Sequence, residues 1–339
     1  MEMSKFSLDM LRECVYPYTK RQKDDPSVIL GSTFGEDVAL TRIGNDILLS
    51  HTDPIVGAVS GIGWLAMHVA CNDIACSGIS PQWAQILLLV PSREDTELVK
   101  SIMRDASRAA EEINVSIIGG HTGYSSGITR PVVAVTAMAS ASGRRIVGTG
   151  GAQPGDHVVI TGGAGIEGTS ILAVDFAEEG RFLGLTEEDL KEGAALGSEV
   201  SILEEALILA DNGATAMHDV TRGGIMETSL EIAGLSGNSI EIDINLIPER
   251  PVVNRFARAF SFDPVKMISS GSLVATVPEG KIQTILAELA QKKIPAADTG
   301  IVKEGKGVSF SRGSERFNVT AIQCEEDELA RMWAIHKGK

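Results

Sequence analysis

Apolar positions along this chain recur at two different spacings. Ile62, Leu65, Ala66, Val69 and Ala70 return at helical intervals, predicting a helix from about Ile62 to Cys76, and Asp73 falls on the same stripe. A second helical pattern begins near Ser92, with Leu98, Val99, Ile102, Ala106, Ala109 and Ile113 on one face. Shorter runs read as strands. Val38 to Leu40 and Ile47 to Leu49, joined by a Gly44-Asn45 turn, predict a hairpin. VSIIGG predicts a strand whose end opens into the loop HTGYSSG, and PVVAVTAMA predicts another strand. After the Gly-rich stretch GRRIVGTGGAQPGD the pattern starts afresh with the strand HVVIT. Helices such as SILEEALILADNG and TRGGIMETSLEIAG then alternate with strands such as ATAMHD and SIEIDINLI. The expectation is an α/β (α+β) chain of two domains, 1–150 and 151–339.

Against that pattern a few polar residues stand out. Asp73 is the one charged side chain between Asp53 and Arg93. A carboxylate in such a stretch either caps neighbouring backbone or faces a cation, since buried acids need compensation. Asp37 lies just before the first strand of the predicted hairpin and Asp53 just after the second. Three acids drawn together repel one another unless a cation sits between them. A ligand set made only of oxygens favours Mg²⁺, which usually arrives with substrate phosphates. Each acid alone reads better as a turn cap, and the three together shift the reading toward a cation.

Two glycine-bearing junctions add anion chemistry. Gly119-Gly120-His121-Thr122 is expected at a strand end, where paired glycines let backbone N–H groups approach an anion. His121 there is either a polar contact to that ligand or an ordinary hydrogen-bonded loop histidine. His218-Asp219-Val220-Thr221-Arg222-Gly223-Gly224 puts an acid at a strand end beside a helix start. Asp219 would then hold an ion while backbone N–H groups and Arg222 meet phosphate oxygens, unless Asp219 or Thr221 merely caps the helix. Gly163-Ala164-Gly165-Ile166-Glu167-Gly168 matches GxGxxG, but LTEEDLKEG follows where a dinucleotide site needs a strand ending in an acid. Those glycines are read as a tight packing turn. Neither GxxxxGK[ST] nor GxSxG occurs.

Composition narrows the field. Hydrophobic content of 43% with 36 glycines suits a folded α/β protein, and aromatics at 4% leave the core to Val, Ile, Leu and Ala. A formal charge of −15 argues against sequence-independent binding to nucleic acid or anionic lipid. No apolar run is long enough to span a bilayer, and MEMSKFSLDM lacks the apolar stretch of a signal peptide. Cys14, Cys71, Cys76 and Cys324 form no CxxC pair, so a reduced cytoplasmic setting without structural zinc is expected.

The motifs GEDVAL, HTDPIVGA, ACNDIACSGISP, IIGGHTG, GAQPGDHVVITGGAGIEGTSIL, HDVTRGGIMETSLEIA and SSGSLV stand in one order. In that order they resemble the PurM-like superfamily, related to aminoimidazole ribonucleotide synthetase, over roughly Ile29 to Val302. This superfamily includes hydrogenase maturation HypE proteins, selenophosphate synthetase and thiamine monophosphate kinase, and the chain looks most like the HypE group. The resemblance implies an N-terminal domain that dimerises through strands forming a barrel, and a C-terminal α/β domain. It implies ATP and Mg²⁺ as cofactors, with Asp37, Asp53, Asp73 and Asp219 on the metal. Asn72, Gly119, Gly120, Thr122, Thr221, Arg222 and Gly223 would join Asp37 and Asp53 around the nucleotide, and Asp73, Asp219 and His121 would be catalytic. The chemistry implied is activation of a carbonyl-type oxygen by phosphoryl transfer. Two departures matter. HypE proteins end in a mobile tail whose last residue is a reactive cysteine, whereas this chain ends AIHKGK and its last cysteine is Cys324. His121 also stands where the kinase members carry Asp.

Three readings follow. The first is an ATP- and Mg²⁺-dependent HypE-like enzyme, homodimeric, acting on a small molecule or a partner-borne group. The second is a non-catalytic scaffold that binds nucleotide and partner. The third is a zinc hydrolase using His51, His121 and His218, which all fall at predicted strand ends.

Overall fold

The computed structural model describes residues 8–55, 61–320 and 328–336. They fall into two compact units. The N-terminal unit comprises Gln22–Ser32 and Asp37–Ile146. Its sheet is built from β1 (Val28–Leu30), β2 (Ala39–Ile43), β3 (Asp46–Ile55), β4 (Trp83–Val90), β5 (Ser116–Tyr124) and β6 (Val132–Ser140), in the order β1-β2-β3-β6-β4-β5. Only β4 and β5 run parallel, and helix Thr96–Glu112 makes the crossover that parallel neighbours require. Along β6 alternate residues Val133, Val135, Ala137 and Ala139 are fully buried, so one face of the sheet meets the core. Helices Ile62–Cys76 and Thr96–Glu112 pack together and close that core. The second helix starts one turn beyond Ser92, because Asp95 is its N-cap residue and draws the Ser92 N–H into a preceding turn at 2.9 Å.

Two strands are longer than their patterns predict. β3 does not stop at Leu49. It runs on to Ile55 because β6 pairs with it from Leu48↔Ser140 to Ile55↔Val133, which places Asp53 inside the strand and not after it. β5 does not stop at Ile118 either. Pairing with β4 from Trp83↔Ser116 to Val90↔Tyr124 carries Gly119, Gly120, His121 and Thr122 into the body of an edge strand.

The C-terminal unit contains the described residues up to Arg21, Thr33–Glu36 and the chain from Val147. Its strands are β7 (His157–Thr161), β8 (Ala216–Asp219), β9 (Ser239–Asp243), β10 (Leu273–Val277), β11 (Ala296–Lys303), β12 (Gly307–Arg312) and β13 (Glu315–Val319). The order is β13-β12-β9-β11-β7-β10-β8, antiparallel except for the β9/β12 pair. Strand and helix alternate as the sequence predicts, yet neighbours in the sheet mostly oppose each other. The GxGxxG segment forms a tight turn from β7 into helix Ile166–Asp175. Gly165 sits at φ 72°, and a Cβ there would lie 3.2 Å from Val253 Cγ1, so the glycine serves close packing. A second core gathers Phe176, Phe256 and Phe260, and helix Glu328–Ile335 docks on it through buried Leu329 and Met332. Cys324 lies outside the described residues. Among the described residues no helix is long and apolar enough to cross a membrane.

Candidate functional site

In the N-terminal unit the polar residues converge on β3 and the buried helix beside it. Successive side chains on a strand point to opposite faces, so His51 and Asp53 share the face of Leu49 and Ile55, which packs on the core. His51 Nδ1 hydrogen-bonds the Asp37 carbonyl oxygen, which makes Nδ1 the protonated nitrogen. Its Nε2 lies 3.5 Å from Asp73 Oδ2. The buried Asp37 carboxylate is itself within 4.8 Å of the Cys76 sulfur, one turn beyond Asp73 on the same helix. Asn72 is buried between them in sequence. The structure therefore brings Asp37, His51, Asp73 and Cys76 together, with Asp53 two residues along the same strand face.

The donor set favours a hard cation only in part. The carboxylates of Asp37 and Asp73 suit Mg²⁺, whereas an imidazole and a thiol are softer ligands. His51 is tied to the Asp37 backbone through Nδ1–H, and the carboxylate oxygens of Asp37 and Asp73 are the hard donors for an incoming ion. Burial, with the Asp73 charge adding to it, pushes Cys71 up to about 12, so it stays protonated.

His121 is not part of this group. Cross-strand pairing runs Asp53↔Val135, Val135↔Ile86, Ile86↔Gly120, which is three strand steps or about 14 Å. Pro54, Ala134, Leu87 and His121 form the adjacent row, on the opposite and exposed face. His51 and His121 thus lie on opposite faces of one sheet and cannot share a zinc ion. The expected phosphate loop is likewise in-strand. Gly120 has φ 143°, and a Cβ there would meet the Ile86 carbonyl oxygen at 1.9 Å, so close strand pairing accounts for that glycine.

The second polar group lies in the C-terminal unit. Asp219 ends β8 and is fully buried. Gly223, at φ 79°, turns the chain into helix Gly224–Ser236, and Thr221 and Arg222 lie half-buried in that turn. His218 reaches two acids, with Nε2 2.9 Å from Glu231 Oε2 and Nδ1 3.4 Å from Asp219 Oδ1. Thr228 Oγ1 donates to the Asp219 carbonyl oxygen at 3.3 Å. Thr228 and Glu231 are three apart on one helix face, so the helix clamps the end of β8. Sequence reasoning found the Asp219 junction but missed Glu231, whose spacing from Thr228 was the available signal. It also left His51 to the zinc reading, although its period-two relation to Asp53 marks both for one face.

Two family models match the chain. AIR synthase related protein, N-terminal domain, covers residues 35–141, and AIR synthase related protein, C-terminal domain, covers residues 153–312. The carbamoyl dehydratase HypE of Rhodobacter capsulatus is 29% identical over 260 residues, 75% of this chain and 72% of that protein. The solved structure of AaThiL complexed with AMPPCP and TMP superposes with a TM-score of 0.73 at 19% identity, covering 94% of this chain and 98% of that one. Hydrogenase maturation protein HypE in complex with ATP superposes with a TM-score of 0.69 at 21% identity, covering 93% and 94%. At such identities the structural likeness speaks for the fold.

Proposed function

This chain belongs to the AIR synthase-related family, and from that premise we propose that it is an ATP- and Mg²⁺-dependent enzyme. It would activate a carbonyl-type oxygen on its substrate by phosphoryl transfer. The observation that carries this reading is that His51 joins the backbone of buried Asp37 to the carboxylate of buried Asp73. Carboxylates removed from water call for compensation, and their oxygens suit Mg²⁺. Asp37, Asp53 and Asp73 in the N-terminal unit and Asp219 in the C-terminal unit are the proposed ligands. Bound Mg²⁺ would neutralise charge on the nucleotide phosphates. His51 fixes the chain at Asp37 through its Nδ1–H. Backbone N–H groups of the Thr221–Gly223 turn, with Arg222, would meet phosphate oxygens at the start of helix Gly224–Ser236. The ATP and AMPPCP complexes of the two solved relatives support a nucleotide here too. Calorimetry of ATP binding with and without Mg²⁺, followed by phosphate release with candidate acceptors, tests the proposal. Equal ATP affinity with and without Mg²⁺ would sink it.

We also propose a homodimer. Leu87, Ile118 and Tyr124 are exposed on β4 and β5, at the edge of the sheet. Apolar strand edges of this kind are normally paired or covered. Light scattering at micromolar concentration is expected to give twice the mass of the chain, and a monomer would overturn this.

A further inference from the structure

We propose that the C-terminal unit carries a separate small-molecule site for a monoanionic acid with an apolar body. The acid is a carboxylate or a phosphate diester on a hydrocarbon or ring. A cavity of about 740 Å³ lies against the start of helix Pro251–Phe260. That is within the range of small-ligand sites, roughly 300–1,000 Å³. Its lining divides by chemistry, with Ile247, Val253, Phe262 and Val265 supplying apolar surface and Arg250 and Arg312 the cationic groups.

Arg312 is the anchor. It holds Asp263 through Nη2 alone, at 2.9 and 3.2 Å to the two carboxylate oxygens. Among the described residues nothing engages its Nε or Nη1 hydrogens. A guanidinium presents five N–H donors in a fixed fork, and both of its paired edges share Nη2, so Nε–H and Nη1–H remain as donors for a second acid. Asp263 offers little competition for those donors. Its carboxylate accepts from Arg312 and from the Val265 N–H at 3.3 Å. Glu328 also lines the cavity, but its carboxylate is engaged, accepting the Asp263 N–H at 3.0 Å and Arg331 Nε at 2.6 Å. Arg250, tied to Glu199, adds a second positive charge, and the helix it precedes has no side-chain cap on its first amides. Among the described residues Glu249 is the one lining acid without a cationic partner, and it accepts from Asn254 Nδ2 at 2.7 Å. Its charge disfavours polyanions such as nucleotides, which separates this cavity from the proposed Thr221–Gly223 phosphate turn.

The test uses the full chain without nucleotide or Mg²⁺, with phenylacetate and methyl phenyl phosphate as probes and benzyl alcohol as the neutral control. Ligand-observed NMR titration is expected to show both acids binding at least tenfold more tightly than the alcohol. Binding of one acid alone would also support the site and narrow its ligand to that acid group. Arg312→Gln is expected to lose at least tenfold in acid binding, and Arg312→Lys, which keeps the charge but not the fork, to fall between. Arg222→Ala should leave acid binding unchanged, so failure of the nucleotide reading would not touch this one. Equal binding of benzyl alcohol, unaltered acid binding in Arg312→Gln, or loss of acid binding in Arg222→Ala would overturn the proposal.

Discussion

Each unit of this chain contains a histidine placed between acids, and the two arrangements differ in their access to water. In the N-terminal unit the His51 side chain is 25% exposed and Asp73 10%, and they stand 3.5 Å apart. In the C-terminal unit His218, Asp219 and Glu231 are 6%, 1% and 5% exposed, and His218 meets Glu231 at 2.9 Å. The residue types are the same, but the first group is loose and reachable while the second is tight and sealed. A loose, reachable carboxylate has capacity left for a partner from solution. In the sealed group the His218–Glu231 contact serves the fold, while neither Asp219 carboxylate oxygen has a hydrogen bond among the described residues. His51 and Asp73 therefore suit ligand exchange, and the His218–Glu231 contact suits fixing β8, and with it Asp219, against helix Gly224–Ser236.

The largest expected effect breaks the first group alone. Asp37→Asn, Asp53→Asn and Asp73→Asn are each expected to remove Mg²⁺-dependent ATP binding, by on the order of 100-fold or more. Thermal unfolding should stay within a few degrees of wild type, since the charge is needed for the ion and not for packing. Calorimetry and a melting curve on each variant decide it. Any variant that binds Mg-ATP as wild type does is misassigned.

Stability should respond in the opposite way. His218→Ala leaves Glu231 and Asp219 buried without their imidazole, and breaking such a buried pair costs about 3–5 kcal/mol. His51→Ala, at a more hydrated position, is expected to cost about 1 kcal/mol. Urea unfolding of both variants measures the difference, and equal costs would erase the distinction between the two groups.

A buried acid with no imidazole beside it sharpens the point. Glu205 has one side-chain hydrogen-bond donor, Thr161 Oγ1 at 3.4 Å, and burial pushes its carboxyl up from 4.5 to about 7. The folded protein thus keeps a proton that the unfolded chain releases. The associated stability is present below about pH 4.5 and is lost as pH rises through 7. Glu205→Gln should abolish that slope. Its advantage over wild type is expected to grow across this window and level off at about 3 kcal/mol. Urea midpoints at pH 5 and pH 8 report it, and an advantage that does not grow with pH counts against it.

Much of this was legible because it is local. Helix Ile62–Cys76 announces itself by spacing, and the lone charge of Asp73 marks the face that meets His51. The Asp219 junction is written in the strand-to-helix switch with its glycines. What was not legible depends on partners distant in sequence. HTDPI reads as loop, yet β6 pairs with it and makes it strand. GGHTGY reads as a phosphate loop, yet β4 extends through it. Once those strands lengthen, the alternation of faces reassigns His51 to the acids and takes His121 away from them. Glu205 gave no signal, because its burial is a property of packing and not of its neighbours in the chain.

The smallest expected effect comes from a third histidine–acid pair, which serves as the control. In the N-terminal unit His68 is 3% exposed, while Glu112 is 45% exposed and joins it at 3.1 Å. Glu112 also accepts from Trp64 Nε1 at 2.7 Å. Burial holds the His68 pKa below its usual value, and the Glu112 hydrogen bond opposes that only in part. A neutral imidazole needs an acceptor for Nε2–H and not a negative charge, and an amide oxygen can supply one. Glu112→Gln is therefore expected to cost under about 1 kcal/mol near pH 8, with Mg-ATP binding unchanged. Acid separates the two proteins. With the folded pKa depressed, stability is present above the ordinary histidine value and is lost as pH falls through it, because the unfolded chain takes up the proton first. Removing Glu112 also removes the contributions that raise the His68 pKa, so the variant should lose stability more steeply than wild type between pH 7 and pH 5. Urea titrations across that range measure it. A cost at pH 8 as large as that of His218→Ala would mean that charge, and not access to water, sets the difference between these histidines.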